Sequence, residues 1–187
     1  MPSGNGFLTI SPDATFDSLT SSVYTSLVRA QRFLLPQGTW EVTEIGIYVS
    51  SDAGFSCKLH LGIFEDDDIN GCPSVLVDNS DSGELYHNTT TITKISHNYS
   101  TRPILTAGVG GTYFWLAHYY GDDYANWHYR AAVVTGIYKS FSYAYPTWPT
   151  DTQWHTHTDR NDLDAEIYAV YKTKESTMII GSMLHIG

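Results

Sequence analysis

The chain has 187 residues, enough for one domain with a sizeable core, and 42% of them are hydrophobic. Ten basic and 20 acidic side chains give a net charge of -10, yet only 16% of residues are charged. That balance excludes a disordered chain, and the scarcity of Lys and Arg excludes a protein that grips nucleic acid by its phosphates. No apolar run approaches the ~20 residues a membrane span needs, so none is expected.

The opening Met1-Pro2-Ser3-Gly4-Asn5-Gly6 lacks the basic and apolar regions of a secretory signal, which predicts a protein made in the cytoplasm. Residues 1–26 read as an arm, with Pro12 to Thr25 the best candidate for a short helix or irregular segment. From Leu27 onward period-two patterning dominates. Ile45, Ile47 and Val49 alternate with Glu44, Gly46 and Tyr48, and Leu59, Leu61 and Ile63 alternate with Lys58, His60 and Gly62. Further strands are predicted at Tyr113 to Tyr119, Ala131 to Tyr138 and Glu166 to Tyr171. Weaker ones are Leu27 to Leu34, Ser74 to Val77, Glu84 to His87 and Thr90 to Ile95. Between them lie turn-forming clusters at 50–54, 67–71 and 78–83. Gly108-Val109-Gly110-Gly111 lacks dinucleotide-binding spacing and reads as a turn.

Eight or nine short strands without a long helix predict an all-β protein: an antiparallel β-sandwich of jelly-roll type with extended N- and C-terminal segments. The sandwich domain spans 27–173. Residues 174–187 form an apolar strand carrying Met178, Ile179, Ile180, Leu184 and Ile186, which either closes the sheet or pairs with a neighbouring subunit.

The 14 Tyr, 7 Phe and 5 Trp suit cross-strand packing, and two aromatic segments read as loops, 119–129 and 143–154. Trp127, Tyr145, Trp148 and Trp154 are candidate platform residues for a glycan, because a ring stacks on the apolar sugar face while nearby Asp, Asn and Gln bond its hydroxyls. Asp66, Asp68 and Asn70 before Gly71 match the opening of a calcium loop, although the position of its late bidentate Glu holds Val77. The same residues suit a hairpin turn, so no cofactor is expected unless calcium binds there. His155 and His157 share one face of an extended segment, followed by Asp159, Asp162 and Asp164. Two such His plus a carboxylate is how a cupin-like enzyme holds a metal, but the flanking Gly and Glu are not in place. Cys57 and Cys72 lie in or beside neighbouring strands and are either bonded or free and buried. Asn88-Thr89-Thr90 and Asn98-Tyr99-Ser100 are glycosylation triplets that match by chance if the chain is not secreted.

Phe33-Leu34-Leu35-Pro36, Glu44 to Tyr48, Leu61 to Asp66 and Asn70-Gly71-Cys72-Pro73 together resemble the jelly-roll modules of bacteriophage tail, fibre and capsid-decoration proteins, and of some surface carbohydrate-binding modules. The likeness covers about half the chain and carries over no catalytic residue. It implies a non-enzymatic virion structural protein, a homo-oligomer that also contacts other virion proteins. The alternative is a carbohydrate-binding module located outside the cell or at its surface, where it binds glycans, and a third reading is the cupin-like metalloenzyme.

Overall fold

The computed structural model describes residues 6–8, 19–22, 26–51, 56–68, 71–121, 125–131, 138–155, 159–160, 163–165 and 167–174. Its strands are β1 (Gly6–Leu8), β2 (Leu19–Ser22), β3 (Leu27–Leu35), β4 (Gly38–Ser51), β5 (Cys57–Asp66), β6 (Pro73–Leu76), β7 (Leu85–His87), β8 (Thr93–Asn98), β9 (Ile104–Ala107) and β10 (Thr112–Tyr120). After these come β11 (Ala125–Ala131), β12 (Tyr138–Ser142), the short helix α1 (Asp151–His155), β13 (Asp159–Arg160), β14 (Leu163–Ala165) and β15 (Ile167–Thr173). The protein is an all-β antiparallel sandwich. One sheet runs β1-β15-β4-β11-β14, with β8 and β9 also on β4 and β2 on β11. The other runs β13-β12-β3-β10-β5-β6, with β7 on β5.

Period-two alternation decides what each strand buries. Ile45, Ile47 and Val49 of β4, Leu59, Leu61 and Ile63 of β5, and Phe114 and Leu116 of β10 meet Ile167 and Ala169 of β15 in the main core between the sheets. Arg29 of β3 and His118 of β10 are register partners and are also buried. Burial, and then the Arg29 charge, holds the His118 imidazole well below its ordinary pKa, so it is neutral.

The intervening residues of the second sheet build another core on its outer face. Val28 and Ala30 of β3, Phe64 of β5, Trp115, Ala117 and Tyr119 of β10, and Phe141 of β12 form it together with Cys72 and Trp154. Cys57 belongs to the inner core and Cys72 to the outer one, so the two form no disulfide with each other. The segment 143–155 caps this outer core, which makes the molecule three layers deep.

Several expectations change. The described part of the N-terminal arm is strand, not helix: β1 pairs with β15 and β2 with β11, where backbone bonds to a sheet edge outweigh weak local helix preference. The supposed aromatic loop 119–129 is mostly strand: Tyr119 and Tyr120 end β10 fully buried, and Ala125–Ala131 is β11. Of the predicted strand 131–138, residues 132–137 lie outside the described residues, and its ends belong to β11 and β12. Strand β9, which pairs with β4, had no periodic signal. The 108–111 turn forms as expected, with the Gly111 N–H donating to the Gly108 carbonyl and Gly110 and Gly111 at φ of 90° and 91°.

Candidate functional site

The outer core and its cover bring together residues from every candidate cluster except the C-terminal one. Gly62 leaves the gap that Trp148 fills, since a Cβ there would lie 3.0 Å from the indole. Trp148 packs edge-on against Phe64 at 5.4 Å, and Tyr145 edge-on against Tyr119 at 5.1 Å and His60 at 5.3 Å. Trp154 wedges between Phe64 and Phe141, with ring centroids 5.5 and 5.0 Å away. It gets there because α1 starts at a capping box: the Thr150 N–H and hydroxyl both donate to the Gln153 side-chain oxygen, while the Trp154 N–H donates back to the Thr150 carbonyl. The tetrapeptide Thr150-Asp151-Thr152-Gln153 carries that signature in the sequence, and it would have marked Trp154 as the buried residue of a first helical turn.

The glycan-platform expectation is therefore corrected at Trp154, which is wholly buried and offers no ring face. Tyr145 and Trp148 are half-buried. They border a polar strip where His60 and Asp81 lie 3.0 Å apart and the Tyr145 hydroxyl donates to Glu84. Burial is the largest single influence on Asp81 and pushes its pKa up. Hydrogen bonds from His60 and the Gly83 N–H outweigh it together and hold the carboxyl below its usual range. The Tyr86 hydroxyl donates to Glu84 and is the main cause of that carboxyl's lowered pKa. Trp127 lies in β11 opposite Val49 and Ser21, and its side chain is outside the described residues.

The acidic hairpin after β5 is rearranged too. Asp66 is buried and already occupied. Arg32 clamps it with two bonds of 2.6 and 2.8 Å, and the fully buried Trp115 indole N–H donates to it at 2.7 Å. The Asp68 backbone N–H completes the set at 3.0 Å. This corrects the alternate-oxygen calcium spacing at its first position, because the Asp66 carboxylate is neutralised inside the sheet face while Asp68 is exposed. Asn70 lies outside the described residues.

The neighbour of Asp66, which was not singled out from sequence, has the more chemically mixed surroundings. Asp67 Oδ2 lies 2.7 Å from His155 Nε2 at the end of α1. Its Oδ1 accepts the Cys72 N–H, and its own N–H donates to the Cys72 carbonyl, both at 3.0 Å. One ligand-type atom each from Asp67, Cys72 and His155 falls within 4.8 Å of the others, and Asp151 Oδ1 is 3.7 Å from the same imidazole nitrogen. His155 is thus turned to the hairpin. His157 and Asp162 lie outside the described residues, and Asp159 and Asp164 belong to strands of different sheets.

Beyond the Arg32–Asp66 row, no element among the described residues covers the outer face. Leu34 and Tyr113 are register partners, 49% and 41% exposed, and Val109 on the adjoining turn is 90% exposed. The Arg32 guanidinium stacks 3.9 Å from the Tyr113 ring centre. At the edge formed by β6 and β9, an open cleft of about 400 Å³ is lined by Val75, Ile104, Glu65 and Arg102. The tail residues Met178, Ile179, Ile180, Leu184 and Ile186 lie outside the described residues. No helix among the described residues is long and apolar enough to cross a membrane. No family model, curated protein or solved structure matches the chain significantly.

Proposed function

We propose that the protein is a non-enzymatic virion structural subunit, a capsid-decoration or tail/fibre surface component of a bacteriophage that associates with itself and with other particle proteins. The observation that carries this reading is the half-covered outer face. The layer 143–155 seals one end of an apolar sheet surface, while Leu34 and Tyr113 prolong that surface into solvent. Scattered exposed apolar side chains are ordinary, but adjacent ones that extend a buried face, with an Arg stacked on the Tyr, have the composition of a contact surface. The hairpin motifs that resemble phage modules supply the virion part of the reading, and the jelly-roll winding of the sandwich belongs to the same proposal.

Sedimentation over a wide concentration range tests the association. Wild type is expected to self-associate, and the double variant Leu34→Glu/Tyr113→Glu, altered only at exposed positions, to remain monomeric. A wild type that stays monomeric throughout would overturn the self-association. Capsid or tail genes beside its own gene are the expected setting, and a neighbourhood of carbohydrate-processing genes would overturn the virion reading. That second outcome favours a glycan-binding module built on Tyr145 and Trp148 next to Asp81 and Glu84. A glycan array with Trp148→Ala tests it, since binding through that ring would be lost in the variant.

A further inference from the structure

We propose that Asp67, Cys72 and His155 bind one zinc-class divalent transition-metal ion, which clasps α1 to the hairpin between β5 and β6. The donor set selects the ion. Calcium and magnesium take oxygen ligands, whereas a thiolate, an imidazole and a carboxylate together are the mixture that suits zinc or cobalt.

The geometry is close to what such an ion requires. With bonds of about 2.0–2.3 Å, tetrahedral ligand atoms sit roughly 3.3–3.8 Å apart. Asp151, exposed and with Oδ1 3.7 Å from His155 Nε2, is outside the three converging groups and becomes the fourth ligand by swinging its side chain inward. Asp67 Oδ2 and His155 Nε2 are 2.7 Å apart, so they must part by less than about 1 Å to admit the ion. His155 is exposed at the end of α1 and has room to make that adjustment. Asp67 and Cys72 have less freedom, because their reciprocal backbone and side-chain bonds hold them face to face across the hairpin. Binding releases the Cys72 thiol proton to solvent, along with any proton shared between His155 and Asp67, so occupancy falls in acid.

The surroundings assign a structural role rather than a catalytic one. Cys72 is 3% exposed, so the thiolate side of the site is closed to a substrate. Closed sites of this kind hold elements together, whereas catalytic ones keep a position open to substrate. The element held here is the end of the cover, one residue beyond the buried Trp154.

The test uses the full chain, stripped with chelator and titrated separately with Zn²⁺ and Co²⁺. One ion per chain is expected. Cobalt should show tetrahedral visible bands and a thiolate charge-transfer band, and zinc should raise the melting temperature. Cys72→Ser is expected to abolish the charge-transfer band and Cys57→Ala to keep it. His155→Gln, a change at an exposed position, should weaken zinc binding by more than about 10-fold and erase the zinc-dependent thermal shift. A wild type that binds neither metal overturns the clasp, as does binding that is unchanged in both Cys72→Ser and His155→Gln. A Cys72 thiol that reacts rapidly with iodoacetamide, in a chain that takes up no metal, would point to a reactive cysteine instead.

Discussion

Replacing Asp66 by alanine removes the acceptor shared by Arg32, Trp115 and the Asp68 backbone. The Trp115 indole is fully buried, so its N–H is left without a partner at a cost of about 1–3 kcal/mol. The Arg32 side chain keeps 18% of its exposure, and water recovers part of the lost pairing there, so its share is about 1–2 kcal/mol. The sum, about 2–5 kcal/mol, overlaps the range of about 3–5 kcal/mol found when one partner of a buried ion pair is deleted. In a domain of this size each kcal/mol moves the midpoint by about 2–4 °C, so the melting temperature should fall by roughly 10 °C. Asp66→Asn keeps an oxygen for Trp115 and should lose only about 1–2 kcal/mol. Urea denaturation followed by tryptophan fluorescence measures both variants. A loss below about 1 kcal/mol for Asp66→Ala would refute the claim that this carboxylate neutralises Arg32 and satisfies Trp115.

Calcium at matched ionic strength is expected to leave the wild-type melting temperature unchanged, because Asp66 is already paired; a calcium-specific rise that disappears in Asp68→Ala would restore the calcium loop. Trp154→Ala empties the centre of the outer core and should cost about 3–5 kcal/mol in chemical denaturation, whereas a near-neutral result would mean that 143–155 does not cover the sheet. A Cβ at Gly46 would come within 2.7 Å of the Tyr168 ring, so Gly46→Ala should lose about 1–3 kcal/mol, and Tyr168→Leu in the same chain should recover part of it. Folded His118 resists the proton that the unfolded chain accepts near the ordinary imidazole pKa of about 6.5. Stability is therefore complete above that pH and falls below it, by up to about 1.4 kcal/mol per pH unit. His87, whose pKa burial also lowers, adds in the same direction, and His118→Leu should flatten the slope in urea melts between about pH 7 and pH 5.

The class of fold was legible in the chain because strand alternation is a local signal. Ile45-Gly46-Ile47 and Leu59-His60-Leu61 state which side chains point inward before any partner strand is known, and Asn, Asp and Gly mark where the chain turns. The capping box at Thr150 was equally local, although nothing nearby showed what Trp154 would pack against. Only the tertiary structure could decide that both faces of one sheet are buried. This is why period two assigned Phe64, Trp115 and Tyr119 to a face without saying whether that face met water or a third layer. The site residues depend on longer-range pairing still. Arg32 reaches Asp66 across 34 residues, Trp115 reaches it across 49, and His155 reaches Asp67 across 88. Charge and hydrogen-bonding capacity are written in the residue types, but which carboxylate is consumed by a buried partner and which stays beside a thiol and an imidazole is set by strand register. Register places neighbouring residues such as Asp66 and Asp67 in different surroundings.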